Sequence, residues 1–168
     1  MSDFRTFLKK ILKWEGGYAN HPNDRGGCTN KGIILSTYRQ YFGASKTCED
    51  LKKITDEEVE HIYKKGFWDA CRGDDMNSWQ VAHLIADWAV NSGVRNAAKG
   101  VQKIVGAKAD GIIGPLTIKA INEREEKELF ESIKEARKEF YENIVKRNPS
   151  QKVFLKGWMN RLNDYNWV

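Results

Sequence analysis

Cysteine and histidine are scarce in this 168-residue chain, with three of each. Cys28, Cys48 and Cys71 are far apart and form no C-x-x-C pair, and His21, His61 and His83 show no metal-ligand spacing. An odd number of scattered thiols argues against a disulfide framework and against a zinc site. The cysteines read instead as ordinary buried thiols of a protein made in a reducing compartment. No bound metal and no cofactor are expected. Long hydrophobic runs are also missing. Nothing approaches the ~20 apolar residues that a membrane span needs, so no membrane insertion is expected. The first residues, MSDFRTFLKKILKW, carry charge throughout and lack the apolar stretch of a secretory signal. Internal repeats, low-complexity segments and linker composition are absent too. The length therefore fits one domain, or two small halves on one core.

What is present describes a globular protein. Hydrophobic residues make up 40% and charged residues 30% of the chain. The 28 Lys and Arg exceed the 23 Asp and Glu, giving a formal charge of +5. A basic balance suits an anionic partner such as nucleic acid, a membrane surface or bacterial wall. The basic residues are interleaved with acidic ones and make no continuous stripe, so a nucleic-acid partner is not expected.

Helical periodicity dominates. Phe4, Phe7, Leu8, Ile11 and Leu12 predict an amphipathic helix over 3–15, with Asp3 at its start and Gly16-Gly17 at its end. Residues 16–32 are rich in Gly and Asn and predict a turn-rich segment with at most a short hairpin. A short helix is expected at 34–42. Thr55-Asp56-Glu57-Glu58 is a capping box opening a helix that runs to about Trp68. Residues 78–91, apolar nearly all round, predict a buried central helix. Further helices are expected at 95–105, at 115–122 with Pro115 in its first turn, over a long stretch ending before Asn148-Pro149, and near 151–163. The charged segment 124–147 reads as a solvated face. The fold class is mainly α.

Glu15 stands out. It follows Ile11 and Leu12 by one helical turn, so it projects from the apolar stripe rather than the polar side. It also falls at a helix C-terminus, where the dipole opposes negative charge. A carboxyl group so placed favours its protonated form, as a general acid requires. The plainer alternative is a Glu at a frayed helix end pointing to solvent. The segment DRGGCTNKG at 24–32 brings Asp24 and Thr29, and its glycines allow a sharp return that can face both residues toward Glu15. Two carboxyl groups about a scissile bond, with a hydroxyl to orient water, suit glycoside hydrolysis. Taken singly, Asp24 reads equally as an Asx turn and Thr29 as a loop hydrogen-bonder.

EGGY at 15–18, then Asp24, Gly26-Gly27, Thr29 and Gly32-Ile33, resembles the signature of glycoside hydrolase family 108, the lysozyme-like N-acetylmuramidases. The resemblance implies that Glu15 is the catalytic acid. The order Glu, Asp, Thr also looks like phage lysozymes of the α+β type, in which the Asp and Thr assist a water. DWAVNSG at 87–93, Val101-Gln102 and ADGIIGPLT at 109–117 resemble the peptidoglycan-binding region that follows in this family, with Asp110, Gly111, Gly114, Pro115 and Thr117 carrying the pattern. A purely structural corner is the alternative for those five. The resemblance implies a lysozyme-like fold, mainly α and at most α+β, with a Gly-rich active-site loop or small hairpin. It divides the chain into a catalytic region at 3–90 and a helical wall-binding region at 91–166, packed as one body.

Tyr18, His21, Asn30, Trp68 and Asn91 are candidates for substrate contact. Asn91 reads equally as structural support together with Asp87, one helical turn away, and the remaining tryptophans read as core. The expected function is hydrolysis of the β-1,4 bond between N-acetylmuramic acid and N-acetylglucosamine, in lysis or remodelling of the cell wall. The expected partner is the peptidoglycan glycan strand. Delivery to the wall would use a phage holin or a secretion system, and the chain is expected to be a monomer. A wall-binding module without turnover is the first alternative, and a basic helical nucleic-acid-binding protein, against which the scattered charges speak, is the second.

Overall fold

The computed structural model describes residues 4–20 and 27–168. They form two compact units, Phe4–Gly66 and Phe67–Val168.

The first unit opens with helix α1, Phe4–Trp14, which buries Phe4, Phe7 and Ile11, the row predicted by the spacing. Three short strands follow: β1, Ala19–Asn20, β2, Cys28–Asn30, and β3, Ile33–Ile34. They pair antiparallel in sequence order, with Ala19 opposite Thr29 and Asn30 opposite Ile33. The last register leaves only Lys31 and Gly32 to make the β2–β3 turn. Both have positive φ, 51° and 79°, as a two-residue turn of the I′ type requires. Helices α2, Leu35–Phe42, α3, Cys48–Lys52, and α4, Asp56–Tyr63, complete the unit.

Capping boxes start α3 and α4. Thr47 and Asp50 exchange side-chain to backbone hydrogen bonds at α3, and Thr55 and Glu58 do so at α4. Each box satisfies two of the amides that a helix start leaves open. The bonds from Thr47 hold the Asp50 carboxyl below its ordinary range. The predicted helix to Trp68 continues past Tyr63 only as a π-helical stretch, Lys64–Trp68.

One expectation from composition is overturned here. Cys28 and Cys48 form a disulfide, with Cα atoms 5.9 Å apart. Cys28 lies on β2 and Cys48 begins α3, twenty residues later. An odd cysteine count permits one bond and one leftover thiol, and the choice is made by distance in space. The leftover is Cys71, buried, whose thiol burial pushes up to about 12.

The second unit is helical: α5, Trp79–Ser92, α6, Val94–Val105, α7, Pro115–Asn122, α8, Glu126–Arg147, and α9, Lys152–Asn163, with 3-10 turns at Gly73–Asp75 and Pro149–Gln151. Helix α5 is the buried centre, solvent-free from Gln80 to Ala89 apart from traces. Its Asp87 is fully buried and needs partners. Arg137 Nη2 of α8 donates to Asp87 Oδ2 at 2.6 Å, and Arg161 Nε of α9 donates to Oδ1 at 3.1 Å. Helix α8 is thus not simply a solvated face, since it also buries Leu129, Phe130, Ile133, Arg137 and Tyr141 against its neighbours.

Candidate active site

Glu15 immediately follows α1, and its backbone N–H still donates to the Ile11 carbonyl at 3.1 Å. It therefore extends the row of Phe4, Phe7 and Ile11, and its side chain is half-buried. The β2–β3 turn comes up against it. Lys31 N–H donates to the Gly16 carbonyl at 3.0 Å, which ties the turn to the chain just past Glu15. Gly32 then lies so close that a Cβ there would stand 2.7 Å from Glu15 Cδ and Oε2. That contact is shorter than any side chain tolerates, and the positive φ of Gly32 disfavours one independently. Glycine at 32 is thus required twice, once by the turn and once by the carboxyl group.

Tyr63 closes the arrangement from the other side. It is the last residue of α4, its ring is buried, and its hydroxyl donates to the Lys31 carbonyl at 2.7 Å. The same hydroxyl would stand 2.5 Å from a Cβ at Gly32, so it borders the glycine and the carboxyl group together. Three elements far apart in sequence meet here: the end of α1, the I′ turn and the end of α4. Tyr63 is the residue that sequence reasoning missed. At the pattern level it belongs to the apolar face of α4 with Val59 and Ile62, and only its hydroxyl sets it apart.

The strand β2 sorts its residues by the two-residue period of a strand. Cys28 and Asn30 are buried and both engage α3: Cys28 through the disulfide, Asn30 through Nδ2, which donates to the Leu51 carbonyl at 3.0 Å. Asn30 is therefore a tie between strand and helix, buried, with its Nδ2 donating to the backbone of α3. Thr29 points to the opposite face and is half-buried. Tyr18 is half-buried, with the Lys52 ammonium 5.6 Å from its ring centre. His21 and Asp24 lie outside the described residues.

Other candidates fall in the second unit. Trp68 is fully buried, and its Nε1 donates to Asp74 Oδ1 at 2.9 Å. Its ring lies against Gly73, where no side chain would fit. It presents no face to a sugar and is a core residue. The exposed tryptophan is Trp79, with 42% of its surface open, because it sits at the first position of α5 rather than along its buried length. Asn91 Oδ1 accepts from the Tyr141 hydroxyl, which in turn accepts from Arg137 Nε at 2.7 Å. Asn91 thus joins the polar network around Asp87.

The DGIIGPLT segment is a corner tied from within. Gln102 of α6 is fully buried. Its Nε2 donates to Asp110 Oδ1 at 3.0 Å, to the Ile112 carbonyl at 2.9 Å and to Thr117 Oγ1 at 3.1 Å. Its Oε1 accepts from Gly111 N–H at 3.0 Å. Asp110 also accepts from Ile112 N–H, and this bond, with the one from Gln102, lowers its carboxyl below the ordinary range. Gly111 has φ 81°, and Gly114 and Pro115 open α7 as predicted. The polar side chains of the pattern are spent on the corner itself.

Comparison with known proteins finds two family models along the chain. Residues 8–93 match the model of the family described as Glycosyl hydrolase 108, and residues 96–163 match one described as Predicted Peptidoglycan domain. The first match extends through α5, although by its contacts α5 belongs to the second compact unit. No curated protein matches the chain by sequence. Among solved structures, "Structure of Brucella abortus SagA" matches with a TM-score of 0.84 at 31% identity, covering 96% of this chain and 90% of that one. A family model that spans half of the sequence, and a solved structure this similar along nearly its whole length, show that the chain belongs to the glycosyl hydrolase 108 family.

Proposed function

We propose that this peptidoglycan hydrolase cleaves the β-1,4 bond between N-acetylmuramic acid and N-acetylglucosamine, with Glu15 as the general acid. The carboxyl group of Glu15, protonated, donates to the glycosidic oxygen as the bond to the anomeric carbon lengthens. Positive charge then develops on the sugar ring, as in other glycoside hydrolyses. Thr29 and Asp24 are proposed to orient the incoming water or to steady that charge. The observation that carries the reading is the seating of Glu15. A half-buried carboxyl group at the end of an apolar row is held against Gly32, in a turn that Tyr63 and Gly16 fix from two sides. A general acid must be held within about an ångström of its productive position, and this packing restricts its rotamers.

The Cys28–Cys48 disulfide supports action on the wall side of the membrane, where oxidising conditions keep such bonds. The excess of basic residues favours encounter with an anionic wall. The test is hydrolysis of purified wall by the wild type and by Glu15→Gln, with mass spectrometry of the fragments. Wild-type fragments should carry reducing N-acetylmuramic acid ends, and the variant should release none at a comparable rate. Clearing by the variant at the wild-type rate would sink the assignment.

A further inference from the structure

A groove of about 450 Å³ runs along the second unit between α6 and α8. One face of α6 lines it with Asn96, Lys99, Gly100 and Lys103, spaced three and four residues apart. One face of α8 lines the other side with Ala136, Glu139, Phe140 and Asn143, spaced in the same way. The floor is aromatic. The Trp88 ring packs against Gly100 so closely that a Cβ there would overlap it, and Phe140 meets Trp88 edge-on at 5.7 Å. Trp88 is buried, and its indole nitrogen has no hydrogen-bond partner.

The charges on the walls are uncommitted. Among the described residues, Lys99, Lys103 and Glu139 enter no salt bridge, although oppositely charged walls face one another across the groove. Two cations on the α6 wall, with one anion and the carboxamide of Asn143 on the α8 wall, fit a zwitterionic ligand with secondary amides and small apolar groups. By contrast, the polar side chains of the Asp110–Thr117 corner are already hydrogen-bonded within it.

We propose that this groove binds the stem peptide of peptidoglycan. Lys99 and Lys103 receive its carboxylates, Glu139 receives the free side-chain amine of its diamino acid, Asn143 pairs with its amides, and the Trp88–Phe140 floor takes the alanine methyls. The proposal rests on the reading of the chain as a peptidoglycan hydrolase. It adds that the second unit reads the peptide, while the first acts on the glycan.

The test uses the full chain and a soluble muropeptide, the disaccharide N-acetylglucosaminyl-N-acetylmuramic acid carrying an Ala–isoglutamate–diaminopimelate–Ala stem. This probe has no N-acetylmuramyl-(1→4)-N-acetylglucosamine bond and is not turned over. Amide resonances of Lys99, Gly100, Lys103 and Asn143 should shift on titration. Binding should weaken about tenfold or more in the Lys99→Glu, Lys103→Glu double variant and for the peptide-free disaccharide. As a second variant, Glu139→Gln should lose the preference for the free amine over its acetylated form. Equal binding of the peptide-free disaccharide, unchanged affinity in both variants, or shifts confined to Asp110–Thr117 would overturn the proposal. Hydrolysis of glycan strands stripped of peptide separates the two readings. The charge-reversed chain should cleave them at the wild-type rate, and a fall there would count against a peptide-specific groove. Wild-type inactivity on intact wall would instead break the hydrolase reading, and the titration would still report on the groove.

Discussion

The EGGY hairpin of the first unit and the DGIIGPLT corner of the second carry the two sequence patterns of this chain, and they are tied by different groups. At the corner, Gln102 engages Asp110, Gly111, Ile112 and Thr117, so the pattern is consumed by its own architecture. At the hairpin, the backbone does the tying, through Lys31 to Gly16 and Tyr63 to Lys31, while the Glu15 carboxyl group is packed against a glycine. Fixed spacing alone does not separate chemistry from scaffolding. At the corner, following each donor and acceptor identifies scaffolding, because the side chains that satisfy a buried turn are committed to it.

The sharpest way to break the comparison is to exchange the two effects. Glu15→Gln should lower wall hydrolysis by about 10²–10⁴-fold, the usual contribution of a general acid, and leave the melting temperature unchanged. A large loss of stability with it would make Glu15 a structural anchor and the two patterns alike.

Gln102→Ala should do the reverse. It strands buried groups that each cost about 1–3 kcal/mol, so denaturant unfolding should show a loss of roughly 3 kcal/mol. Cleavage of peptide-free glycan strands below the unfolding transition should stay near wild type. Failure to destabilise would mean that the corner is not held by Gln102.

Tyr63→Phe should fall between these. Loss of one hydrogen bond costs about 1 kcal/mol, which a thermal melt would detect. Hydrolysis should fall several-fold beyond what that accounts for, because the I′ turn seats Glu15 and rate is sensitive to sub-ångström placement. Equal rates in Tyr63→Phe and wild type would confine the hydroxyl to stability.

The smallest effect separates the cysteines. The native chain should show no rapidly reacting thiol. Denaturation without reductant should expose one, and with reductant three, since Cys28–Cys48 is bonded and Cys71 is buried. Cys71 keeps its proton in the fold up to about 12 and, unfolded, loses it near 9. The unfolded state therefore binds fewer protons over this range, and stability should decline as pH rises between those values. Two free thiols in the native chain would remove the tie between β2 and α3.

Much of the fold was legible because helices depend on short-range periodicity. The buried row of α1, the apolar α5, the Thr55 capping box and Pro115 at the start of α7 all follow from neighbours within four residues. The antiparallel strands were foreshadowed as a turn-rich segment or short hairpin without register, and α3, five residues long, carried too little pattern to be read. In the candidate site, the position of Glu15 on its helix face was legible, but its neighbour Tyr63 was not. A tyrosine on an apolar stripe looks like core until the chain brings its hydroxyl to Lys31.

By itself, then, the sequence determined the local decisions: which segments are helical, where they start and stop, and that a carboxylate falls in line with an apolar row. The tertiary structure decided which cysteines bond, which tryptophans are buried, that Asn30 ties a strand to a helix, and that Arg137 and Arg161 converge on Asp87. The physical reason is range. Periodicity and capping act within one or two helical turns, whereas pairing and burial depend on distances that exist only once the chain has folded.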